Sequence, residues 1–226
     1  VSLLAAEAIG KRAQVYPEVQ IAATATSTAM QRRGQILTAQ ASQTLLFLLT
    51  MLLAGMVLSN LVEEKGSKII EVLAAAIPLD ALFLGKLFAM LAISFVGIAV
   101  WASATGLFAV AARHALPDLP EPAVGWPAFL VLGVVYFSMA YLLLGSVFLS
   151  VGSMATTVRE VQTLAMPVTM MQLMVFFLAS YAMAQPGSAI ETFPLVFPFS
   201  SPFSMLARAA QNADLSVHLL AIGWQA

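Results

Sequence analysis

Long uncharged runs alternate with short charged interruptions along this chain. Residues 43–62, 87–112, 127–158 and 161–190 contain no Asp, Glu, Lys or Arg, giving runs of 20, 26, 32 and 30 residues. A helix rises about 1.5 Å per residue, so about 20 residues cross a hydrocarbon core of roughly 30 Å. Each run is long enough to cross once. A β-barrel would instead show alternating segments of about 10 residues, which these runs are not. The pattern predicts an all-α, polytopic transmembrane helix bundle with spans at about 43–62, 87–112, 127–150 and 164–184. A further uncharged stretch from 215 to 226 would reach roughly 18 Å, too short to cross. The chain therefore reads as a fragment, cut inside a final span and lacking an N-terminal part.

The interruptions have their own character. Residues 1–42 hold Glu7, Lys11, Arg12, Glu18, Arg32 and Arg33 among many Ala, Thr and Gln, and Pro17 breaks them. They read as the end of an extracytoplasmic region, with a helix over about 19–42 leading into the transmembrane domain, 43–226. Segment 63–86 is long for a connection between spans. Ile70, Leu73 and Ile77 recur in it at helical spacing, and Glu64 and Lys68 stand at i,i+4 in the favourable order. It predicts a short amphipathic helix at a membrane surface, ended by Pro78, with Asp80 as N-cap of the next helix. The loop 113–126 carries Pro117, Pro120 and Pro122. A polar turn spans 153–163. Residues 185–206 contain four prolines, which forbid a regular span, and their apolar character predicts a segment at or dipping into the interface.

Composition agrees with the pattern. Hydrophobic residues make up 61% of the chain and charged residues 9%, against about 25% charged in soluble domains. Ten basic and eleven acidic side chains could not keep a soluble fold of 226 residues dispersed. The net charge of −1 offers no electrostatic footprint for nucleic acid. Absence of cysteine removes disulfides, thiolate chemistry and Cys-ligated metal. Positive charges near the spans divide evenly, Lys65, Lys68, Lys86 and Arg159 on one side against Arg32, Arg33, Arg113 and Arg208 on the other, so they do not orient the chain.

Candidate chemistry is sparse. Enzyme signatures such as GxSxG, HExxH or a Walker A loop are absent, and no span interior carries an acid or base. The chain is predicted to be non-enzymatic, with no cofactor of its own. Met166, Met170 and Met174 share one helix face, which suits packing or lipid contact better than metal transport. His114 and His218 have no carboxylates clustered around them in sequence. Ala99 with Ser103 and Ala102 with Gly106 give small-xxx-small pairs for close helix approach, within the chain or to a second copy. Arg159 and Glu160 fit either a partner contact or simple solvation of a turn. Segment 63–86 fits either a docking helix or an interfacial anchor.

Three motifs carry a resemblance. The stretch 61–73, containing Glu63-Glu64-Lys65 and Lys68-Ile69-Ile70-Glu71-Val72-Leu73, precedes Pro78-Leu79 and Leu84-Gly85-Lys86. Arg159-Glu160-Val161-Gln162 precedes Met166-Pro167. Phe199-Ser200-Ser201-Pro202-Phe203-Ser204-Met205 precedes the last uncharged stretch. Together, and in this order, they resemble the type-2 ABC exporter permeases, especially the sodium-efflux branch. The resemblance implies a multi-pass protein of a prokaryotic cell (inner) membrane. It implies a dimer with a second permease copy or paralogue, and a separate ABC ATP-binding subunit that holds ATP and Mg. It makes 63–86 the coupling helix, with Glu63, Glu64, Lys65, Lys68, Glu71 and Lys86 towards the ATPase and Arg159 and Glu160 in a second cytoplasmic turn. The implied activity is export of Na⁺ or another small solute. A non-transporting membrane scaffold or assembly protein is the alternative.

Overall fold

In the computed structural model, residues 17–67, 78–111, 121–155, 157–185 and 188–225 are described. They form seven α-helices and, among the described residues, no strand: α1 Pro17–Ser67, α2 Leu79–Ala111, α3 Trp126–Met154, α4 Val158–Met183, α5 Ala189–Val196, α6 Ser201–Gln211 and α7 Ser216–Gln225. Among the described residues four stretches are long and apolar enough to cross a membrane: Thr28–Glu64, Ala81–Phe108, Trp126–Met154 and Val158–Met183. Each takes in most of one uncharged run, and the first also extends back over Arg32 and Arg33.

The boundaries differ from expectation in instructive ways. The first span and the stretch before it are one helix of 51 residues. Pro17 is its first residue, where a missing N–H costs nothing, and the Thr-rich run 24–28 does not interrupt it. Asp80 is not the N-cap of α2. Pro78 holds that position, since its carbonyl accepts from Leu82 N at 3.2 Å, and Asp80 lies inside the first turn. The turn expected over 153–163 is shorter, because α3 runs to Met154 and α4 starts at Val158. Thr157 makes that restart possible: its hydroxyl accepts from Glu160 N at 3.2 Å. The segment 63–86, expected as one amphipathic helix, is divided: 63–67 continue α1 and 79–86 open α2, while 68–77, with Lys68 and Glu71, lie outside the described residues.

The proline-rich segment 185–206 keeps Ile190, Phe193 and Val196 exposed but does not stay at the surface throughout. It folds into α5 and α6, and α6 enters the bundle with Ser201 through Ala207, Ala209 and Ala210 buried. Phe203 on α6 packs edge-on against Phe47 of α1 (5.9 Å), which stacks on Phe176 of α4 (4.2 Å). Polar backbone at such depth is tolerated only where protein surrounds it. Its C-terminal carbonyls are indeed taken up: Ala123 N donates to Ala210 O (3.0 Å), Val124 N to Ala209 O (3.3 Å) and Asn212 N to Arg208 O (2.8 Å). Gly125, at φ +77°, then lets the chain turn into α3.

Helix α3 is the most enclosed of the four spans and α2 the least. Ala99, Ala102, Ser103 and Gly106 are exposed, so the small-xxx-small pairs of α2 serve no contact among the described residues. Close approach is made instead by α3. A Cβ placed on Gly145 would lie 2.6 Å from Leu87 Cδ1, and one on Gly152 would lie 1.9 Å from Leu61 Cδ2. These glycines, seven residues apart on one face, admit α2 and α1 respectively.

Candidate functional site at one end of the bundle

The end of α1, the start of α2 and the α3–α4 turn meet at one end of the bundle. Lys86 Nζ donates to Glu64 Oε1 in an ion pair whose side chains are 15% and 33% exposed. One turn deeper, Asn60 Nδ2 donates to Met56 O (2.9 Å) and reaches Met90 Sδ at 3.6 Å. Asn60 and Glu64 lie four apart on α1, as do Lys86 and Met90 on α2, so the two contacts form a short ladder between the helices.

The second interruption joins the same base. Val161, fully buried, lies 3.9 Å from the position a Cβ on Gly152 would take, beside the buried Leu61. Leu61, Gly152 and Val161 thus tie α1, α3 and α4 together directly beneath the charged end. Arg159 and Glu160 stand exposed in the first turn of α4. Glu160 suits that place, where its charge complements the helix dipole. Glu63 is exposed beside Glu64. The structure therefore gathers Glu63, Glu64, Lys86, Arg159 and Glu160 at one end. Lys65 belongs to α1, but its side chain lies outside the described residues.

Sequence reasoning missed the polar residues Gln43, Thr50, Tyr136 and Gln172 inside the spans, and found no partner for His218. Gln43 Nε2 donates to Ser180 Oγ at 3.2 Å, linking α1 to α4, and Thr50 and Gln172 are buried as well. Tyr136 Oη and His218 Nδ1 are joined by a buried hydrogen bond of 2.8 Å between α3 and α7. None of these residues is charged, so a search for charges passes over them. Met166, Met170 and Met174 are exposed on the outer face of α4. Among the described residues no group of His, Asp and Glu could hold a metal ion.

Comparison with known proteins agrees with the resemblance. The family model described as "ABC-2 family transporter protein" matches residues 7–225. An uncharacterized protein of Methanocaldococcus jannaschii is 25% identical over 167 residues, which cover 74% of this chain and 39% of that protein. The uncharacterized protein YhaP of Bacillus subtilis is 24% identical over 180 residues, 75% of this chain and 42% of YhaP. The chain thus spans about two fifths of the length of the curated relatives it matches. No solved structure matches it significantly.

Proposed function

Because the chain belongs to the ABC-2 transporter family, we propose that its charged end receives the stroke of a separate ATP-binding subunit and passes it to the spans of an exporter. The observation that carries this reading is the joined base. Glu64 and Lys86 clamp α1 to α2, while Leu61, Gly152 and Val161 clamp α1 to α3 and α4. A push on segment 63–86 is then delivered to four spans at once, because close-packed interiors transmit displacement rather than absorb it.

In this reading the partner subunit binds ATP and Mg and supplies the energy. Glu63, Glu64, Lys65, Lys68, Glu71 and Lys86 meet that subunit or the adjacent water. Arg159 and Glu160, at the same end, form a second contact. Two permease copies enclose a pathway that opens alternately to either side, and the cargo is Na⁺ or another small solute. The test uses the full-length protein purified with the ATPase encoded beside it, reading complex formation and stimulation of ATP hydrolysis. Charge reversal at Glu64 and Glu71 is expected to weaken both. Complex and stimulation left intact overturn the coupling role, and failure to recover any ATPase favours a scaffold without a transport cycle.

A further inference from the structure

The other end of the bundle holds an open cavity of about 370 Å³. Arg32 of α1 lines it, 32 residues before Glu64. That separation is roughly 48 Å along a straight helix, more than a hydrocarbon core of roughly 30 Å. The cavity therefore sits at the opposite boundary of the membrane from the charged end already described. Helix α4 contributes Ala182, α5 contributes Glu191 and Leu195, and α6 contributes Ser204 and Arg208.

Two buried groups in its wall can each donate a hydrogen bond and have no partner. Arg208 Nη1 donates to Glu191 Oε1 at 3.1 Å, but Arg208 Nε is buried without a partner. One turn earlier on α6, Ser204 is 9% exposed and its Oγ is also buried without a partner. A buried donor left unmade costs about 1–3 kcal/mol, so a cavity lined by two of them favours whatever accepts from both. Among the described lining residues two guanidinium groups face one carboxylate, leaving net positive charge. Guanidinium matches the planar geometry of carboxylate and phosphate oxygens. Ile36, Ala182 and Leu195 give the same cavity an apolar wall.

We propose that this cavity binds the oxyanion, phosphate or carboxylate, of an amphiphile. Arg32, Arg208 and Ser204 hold the head, and the apolar wall takes the start of the tail. Two sources present this chemistry, the headgroup of an anionic lipid in that leaflet and a free amphiphile arriving from the water. The site does not depend on the coupling role of the other end.

The test measures binding of dodecyl phosphate to the full-length protein, with its ATPase partner, in a non-ionic detergent. Dodecyl phosphate is expected to bind at least tenfold tighter than inorganic phosphate, and dodecyltrimethylammonium is expected not to bind. Arg32→Ala is expected to weaken dodecyl phosphate about tenfold, the equivalent of one lost charge-assisted hydrogen bond. Arg32 is exposed, so this variant leaves the fold intact. Arg208→Ala combined with Glu191→Ala removes the ion pair as a unit and is expected to weaken binding at least as much. Wild-type affinity in both variants, or equal binding of the cationic amphiphile, overturns the proposal. Competition by phosphatidylglycerol in nanodiscs assigns the site to a lipid headgroup. Binding undisturbed by that lipid assigns it to a free amphiphile.

Discussion

Lys86 and Glu64 lie far apart in sequence, yet α1 and α2 present them to one another at the mouth of the bundle. Such a partly exposed pair is worth about 1 kcal/mol or less. Glu64→Gln or Lys86→Met is expected to lower thermal stability in detergent by about that amount, and the swap of Glu64→Lys with Lys86→Glu to restore most of it. Tyr136 carries a larger stake. Tyr136→Phe leaves the buried His218 Nδ1 without its partner and is expected to cost about 1–3 kcal/mol in the same measurement. Asp214 acts ahead of α7. Hydrogen bonds from the hydroxyl and then the backbone N–H of Ser216 hold its carboxyl below the ordinary carboxylate range. A lowered folded value means this contribution is complete above the ordinary value and is lost as pH falls through the folded one. Hydrogen exchange at the start of α7 is expected to quicken on that acid limb, and Asp214→Asn to remove the dependence.

At the scale of elements, glycine has opposite uses in two spans. In α3, Gly145 and Gly152 are needed for the approach of Leu87 and Leu61. Leu61 is fully buried, so it cannot swing aside without displacing other packed groups. Gly152→Ala is expected to destabilise the bundle by about 1–3 kcal/mol, with Gly145→Ala milder. In α2, Gly97 and Gly106 meet nothing within 4 Å. Alanine there is expected to be neutral or to stabilise by up to about 1 kcal/mol through helix propensity alone. Thermal unfolding of the four variants side by side reads the contrast. A reversed order would remove the case that α3 is the helix on which α1 and α2 close.

At the scale of the whole molecule, charged groups among the described residues stand at two ends. Glu63, Glu64, Lys86 and Arg159 stand at one, and Arg32, Arg33, Glu191 and Arg208 at the other. Between them, exposed side chains such as Leu52, Ile93, Val96 and Trp101 form an apolar outer surface. The 226-residue chain contains no cysteine, so single cysteines introduced into it report topology. Glu63→Cys and Arg159→Cys are expected to react with an impermeant maleimide from one side of sealed vesicles, and Arg33→Cys and Asp214→Cys from the other. Labelling of Glu63→Cys and Arg33→Cys from the same side would contradict the crossing of α1.

Much of this architecture is determined by the sequence alone, because insertion into lipid is decided span by span. A run without charge is stable in hydrocarbon whatever its neighbours are, so the four crossings and the polar segments between them were legible directly. The motifs around Glu64, Lys86 and Arg159 were legible as a family pattern. Their meeting was not, since contact between α1, α2 and the α3–α4 turn depends on which helix faces oppose one another. The prolines of 185–206 excluded a straight span, but only packing against Phe47 and Phe176 drew α6 inside. Gly152 looked no different from Gly106 until Leu61 was seen against it. The cavity between Arg32 and Arg208 likewise joins residues from opposite ends of the chain. Local composition decides what crosses the membrane, and tertiary contacts decide which polar and small residues are brought together to act.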